Sequence, residues 1–77
     1  MNNSVMLIGT ITAIANGIVT LRVNDTFNIE CYIAKVSNRL ANAKVGDRLA
    51  VEGNLAPKDG TFIVAVNDIF VISHGND

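Results

Sequence analysis

The sequence predicts an all-β protein, a small closed barrel of five strands with one short helix between the third and fourth. Three observations carry this expectation. Leu49, Val51 and Leu55 recur with period two, with Gly53 on the same face and Arg48, Glu52 and Asn54 on the other, as in a half-buried strand. Asn16-Gly17 stands between two β-branched runs and is the preferred pair for a type I′ hairpin turn. Between Lys35 and Ala43 the period changes: Val36, Leu40 and Ala43 are spaced at i, i+4 and i+7, the signature of a helix.

The first strand is expected over Ser4–Ala15. Val5, Leu7 and Ile11 share one parity and Met6, Ile8 and Ile14 the other, so both faces are apolar, as in a strand covered on two sides. Gly9 is placed to kink it, which lets one long strand serve two sheets at a barrel corner. After the Asn16-Gly17 turn, Ile18–Val23 forms the second strand, with Val19, Leu21 and Val23 inward and Thr20 and Arg22 outward. Asn24-Asp25-Thr26 makes a further tight turn. The third strand, Phe27–Ile33, turns Phe27, Ile29, Cys31 and Ile33 inward and Asn28, Glu30 and Tyr32 outward.

The helix over Lys35–Ala43 takes Ser37 or Asn38 as its N-cap. Val45-Gly46-Asp47 then turns the chain into the fourth strand, where Gly53 allows a sharp bend or the close approach of another backbone. Ala56-Pro57-Lys58-Asp59-Gly60 reads as a loop. The last strand, Thr61–Ile72, points Phe62, Val64 and Val66 inward; Asn67-Asp68 interrupts the alternation as a bulge, after which Ile69 and Val71 take the inward role. Residues 1–3 and the polar tail Ser73–Asp77 are expected to fray, leaving a single domain over 1–77.

Composition bounds the function. The 77 residues carry a net charge of −1 with a pI near 5.6, so no global positive field draws in nucleic acid, and phosphate binding requires a local cluster. Hydrophobic residues make up 49% of the chain, more than one small barrel needs for its interior. The excess is either ordinary apolar surface or a subunit interface. Cys31 is the one cysteine, which excludes an intrachain disulfide and suits a reducing, cytoplasmic setting. Val5–Ile8 has no basic segment before it and is far shorter than a signal sequence or a membrane span.

Three meandering strands, a helix and two further strands have the connectivity of an OB-fold Greek-key barrel. The sequence also resembles the bacterial single-stranded-DNA-binding protein family in two places. Asn3-Ser-Val-Met-Leu-Ile-Gly9 is similar to that family's first strand. Val45-Gly46-Asp47-Arg48-Leu49-Ala50-Val51-Glu52-Gly53-Asn54-Leu55 is similar to its Gly-Asp-x-x-x-Val-x-Gly-x-Leu fourth strand, a motif shared with OB-folds that bind transfer RNA. The chain has no Trp, and its hairpin connections are shorter than the family's. The resemblance therefore implies a trimmed barrel that binds single-stranded DNA, or RNA, in replication, recombination or repair.

Single-strand binding needs aromatic faces for bases and cations for phosphates along one groove, which in an OB-fold lies over the outer face of strands two and three. Parity places Tyr32, Arg22 and Thr20 there, with Lys35 just past strand three and Arg48 on strand four at the edges. The alternative is that these are solvated surface residues, with Tyr32 in a subunit contact. Phe27 and Phe62 are assigned to the core, and Phe70 with Ile72 to an interface. Cys31 reads as a small buried hydrophobe. His74 stands alone in the tail, and Asp47, Glu52, Asp59 and Asp68 are scattered, so neither a catalytic pair nor a metal loop can be assembled. The expected protein is thus a non-enzymatic binding module without cofactor or membrane, self-associating as a dimer or tetramer. A structural or protein-interaction barrel with no nucleic-acid role is the alternative.

Overall fold

The computed structural model describes residues 3–40 and 42–75. Five strands, β1 (Ser4–Ala15), β2 (Ile18–Asn24), β3 (Phe27–Tyr32), β4 (Arg48–Lys58) and β5 (Thr61–Ser73), close into a barrel in the order β1-β2-β3-β5-β4, with β4 returning to β1. All neighbours are antiparallel except β3 and β5. A 3-10 helix, Ala34–Leu40, lies between β3 and β4. This is the OB-fold connectivity, as the order of the periodicity changes predicts.

β1 serves two partners. Ser4 to Thr10 pair with β4, and Thr10 to Ala15 pair with β2, so the handover falls one residue after Gly9. A Cβ on Gly9 would come within 2.8 Å of the Arg22 carbonyl oxygen, so the crossing of the two ladders requires glycine. The two apolar faces of β1 meet different fates. Ile11 is buried and Val5 and Leu7 pack against the core, whereas Met6, Ile8 and Ile14 are exposed; the second face is uncovered within one chain.

Local rules account for the connections. Asn16 and Gly17 both have positive φ (55° and 76°), the backbone of a type I′ turn. At the next turn Asn24 Oδ1 accepts the amide of Thr26 at 3.0 Å. The anticipated five-residue loop at Ala56–Gly60 is instead a two-residue turn, Asp59-Gly60, again with both φ positive (49° and 81°). β4 runs on through Pro57, which pairs with Phe62. The β1 ladder has ended by then, at Asn54, so the missing amide hydrogen of Pro57 is not needed on that side.

The helix departs from the sequence expectation in type and position. It starts at Ala34, one residue early, and is 3-10 rather than α. Ser37 and Asn38 lie inside it rather than at a cap, and the Ser37 hydroxyl donates back to the Ala34 carbonyl at 3.5 Å. A span this short, holding a β-branched residue, a serine and an asparagine, has little α preference, and the tighter helix still buries Val36 and half-buries Leu40. Residue 41, within the expected helix, lies outside the described residues.

The core is aliphatic. Ile11, Val19, Leu21, Leu49, Val51, Val64 and Val66 are essentially excluded from solvent, with Cys31 beside them. Burial pushes the Cys31 thiol up to about 11, in keeping with a packing role. On β5 the bulge falls where the sequence places it: Glu52 pairs with Asp68 and Gly53 with Val66, leaving Asn67 as the extra residue. Beyond it Ile69 is buried, but Val71 is partly exposed.

The C-terminal stretch is anchored where fraying was expected. Ser73 closes β5, and Asp47, fully buried, accepts the amides of Gly75 (2.7 Å) and Lys44 (3.0 Å), Nδ1 of His74 (3.0 Å) and Nζ of Lys44 (3.3 Å). His74 is therefore paired rather than alone. The Gly75 amide, and after it the Lys44 amide and the His74 and Lys44 side chains, hold the Asp47 carboxyl well below the usual carboxylate range against the opposing effect of its burial. Residues 1, 2, 76 and 77 lie outside the described residues.

Candidate nucleic-acid interface

The outer face of β2 and β3 is laid out by the register of their hairpin. Ile18 pairs with Tyr32, Thr20 with Glu30 and Arg22 with Asn28. Tyr32 points outward because Cys31 and Ile33, on either side, are buried. On its other flank the parallel ladder sets Ala65 of β5 beside it. The ring thus stands between Ile18 and a small residue, half exposed, where a base could stack on it.

Thr20 and Arg22 share this face. Arg22 lies four residues along β2 from the Tyr32 pair, about 13 Å at strand rise. At that spacing its guanidinium is too far from the ring to meet the phosphate of a base stacked on Tyr32. Glu30 would repel phosphate, but Lys58 Nζ meets its Oε1 at 3.0 Å from the β4–β5 hairpin. That cation was not among the residues anticipated. Lys35 sits past the end of β3, in the helix, with Nζ donating to Asn67 Oδ1 at 3.4 Å. Arg48 opens β4 and pairs with Thr10 of β1, which pairs on its other side with Arg22, so Arg48 continues the Arg22 row one strand beyond β1, at the edge of this face and far from Tyr32.

Phe27 and Phe62 correct the sequence reading. Both have the inward parity, yet they are 48% and 58% exposed. The reason is position along the strand. Phe27 is the first residue of β3 and Phe62 the second of β5, and the core closes one layer further in, at Ile29 and Val64. An irregularity at Val23, between the Arg22–Asn28 and Asn24–Phe27 pairs, further loosens that end. Because β3 and β5 run parallel with Glu30 opposite Ile63, their starts lie at the same end of the barrel. Two phenylalanines therefore stand at one rim, with Lys58 on the hairpin beside them. A signal was present in the sequence: each adjoins a two-residue turn, where a strand has no further layer to pack under.

Tyr32 and Phe70 are 50% and 57% exposed, so all four aromatic residues of the chain sit at the surface around an aliphatic core. Aromatic rings commonly dominate small cores because each buries a large area. Among the described residues no three of His, Cys, Asp and Glu gather as a metal site, and no helix is long and apolar enough to cross a membrane. No family model and no curated protein matches the chain.

Proposed function

We propose that this chain is a single-stranded nucleic-acid-binding OB-fold module, acting on DNA in replication, recombination or repair as a cytoplasmic oligomer, and a minimal relative of the bacterial single-stranded-DNA-binding proteins. The observation that carries this reading is the placement of the rings. Tyr32 on the outer face of β3, and Phe27 and Phe62 at the rim where β3 and β5 begin, offer stacking surfaces along one strand and its end. Arg22, Lys35 and Lys58 supply cations around them, and the Lys58–Glu30 pair offsets the carboxylate of Glu30 on that face. With few cations and tight turns, each subunit covers few nucleotides, and useful affinity needs several subunits on one strand. The role is binding rather than catalysis, with no cofactor.

Fluorescence anisotropy with labelled oligo-dT, a mixed-sequence single strand, the matching duplex and an RNA tests it at low and moderate salt. The expected result is micromolar or weaker binding to single strands, falling steeply with salt, and little to the duplex. A second reading, a structural or protein-interaction barrel, is favoured by the exposed apolar row on β1, β4 and β5. Absence of single-strand binding at low salt selects it.

A further inference from the structure

The outer face of the β1–β4–β5 sheet carries a pattern that is complementary to itself. Cross-strand register builds it in rows: Met6, Glu52 and Asp68; then Ile8, Ala50 and Phe70; then Thr10, Arg48 and Ser73. Ile8 and Phe70 are exposed and Ala50 is half-buried between them, so the middle row is an apolar band across three strands. Arg48 and Glu52 lie two residues to either side of Ala50 on the same face, an equal step of about 6.6 Å in opposite directions. Among the described residues neither takes part in an ion pair, whereas Asp68 is held by Arg39.

We infer that this face is the interface with a second copy of the chain, related by a two-fold axis running along the Ile8–Ala50–Phe70 row. This deepens the self-association included in the proposed function by naming its surface and symmetry. Rotation about that axis reverses the strand direction while keeping each strand over its own copy. Ile8, Ala50 and Phe70 then meet their counterparts, the Phe70 rings as an offset pair. Arg48 comes over the partner's Glu52, and Glu52 over the partner's Arg48, closing two ion pairs. A two-fold axis along the strands would instead set Arg48 on Arg48 and Glu52 on Glu52. Charge therefore selects the first arrangement, and aligned face-to-face packing is an ordinary geometry for two sheets.

Sedimentation velocity over a concentration series tests this, with thermal melts to establish that each variant is folded. The wild-type chain should be dimeric, or a multiple of dimers, at tens of micromolar. Arg48→Glu alone and Glu52→Arg alone should each weaken the dimer about tenfold or more, since each sets like charges opposite one another twice. The double variant R48E/E52R should recover association to within about threefold of wild type, as should an equal mixture of the two single variants. A wild-type monomer throughout the series would overturn both this interface and the self-association reading. A dimer indifferent to the single reversals, or not restored by the double, would overturn this interface alone and leave an oligomer built elsewhere.

Discussion

Gly53→Ala places one methyl group against the Ala65–Val66 backbone of β5. The added Cβ would lie 2.2 Å from the carbonyl oxygen of Ala65, and 2.9 Å from both the Ala65 carbonyl carbon and the Cα of Val66. All three are backbone atoms of the paired strand, so no side chain can rotate away, and the strands must part by more than an ångström. That motion breaks the ladder at the bulge that turns Ile69 into the core. Overpacking of this kind costs about 1–3 kcal/mol, and the backbone contact argues for the upper end. The reduced freedom of alanine in the unfolded chain offsets about 0.4–1 kcal/mol. The net loss is about 2 kcal/mol, a drop in Tm of roughly 8–16 °C for a domain this small. Two other glycines calibrate the reasoning. Gly9→Ala, with a 2.8 Å approach to the Arg22 oxygen, should cost less. Gly60→Ala meets nothing within 4 Å and should lose only about 1 kcal/mol, from its positive φ. Urea titrations and thermal melts at one fixed protein concentration provide the ranking, because self-association makes Tm concentration-dependent. A Gly53→Ala protein as stable as Gly60→Ala would refute the argument that close backbone approach holds β4 and β5 in register.

Three further outcomes follow from named side chains. Tyr32→Ala should lower single-strand affinity by roughly 1–3 kcal/mol in anisotropy titrations while leaving the melt unchanged; an unaltered titration moves the site elsewhere. Phe27→Ala and Phe62→Ala should likewise weaken oligonucleotide binding with little loss of stability, whereas Leu21→Ala in the buried layer should cost about 2–5 kcal/mol; a large destabilisation by either phenylalanine variant would return that ring to the core. The Asp47 network should make stability depend on acid. Its folded-state pKa lies below the unfolded one, so its contribution is complete above about pH 4 and is lost as pH falls from there through the folded value. Asp47→Asn should therefore lower stability at neutral pH and flatten the acid limb of a urea-midpoint profile; an unchanged acid limb would assign that limb to other carboxylates.

Much of the barrel is legible in the residues because it depends on rules that act over a few positions. The Asn16-Gly17 backbone, the inward set Leu49, Val51 and Gly53, the bulge at Asn67 and the outward turn of Tyr32 all follow from parity and turn chemistry. Parity says which face a residue takes; it does not say where along a strand the barrel stops being closed. That is why Phe27 and Phe62, correct in face, emerge at the rim: only the layers formed by Ile29 and Val64 decide which ring has anything above it. Arg48 shows the same division. Its outward direction is local, but its place across Thr10 from Arg22 is set by the strand order β1-β2-β3-β5-β4, which sends β4 back to β1. The docking of Gly75 on Asp47 joins residues 28 apart in sequence through a closely packed Gly46–Gly75 backbone pair. No periodicity records such a contact, because it exists only once the closed barrel has brought the end of β5 beside the turn that starts β4.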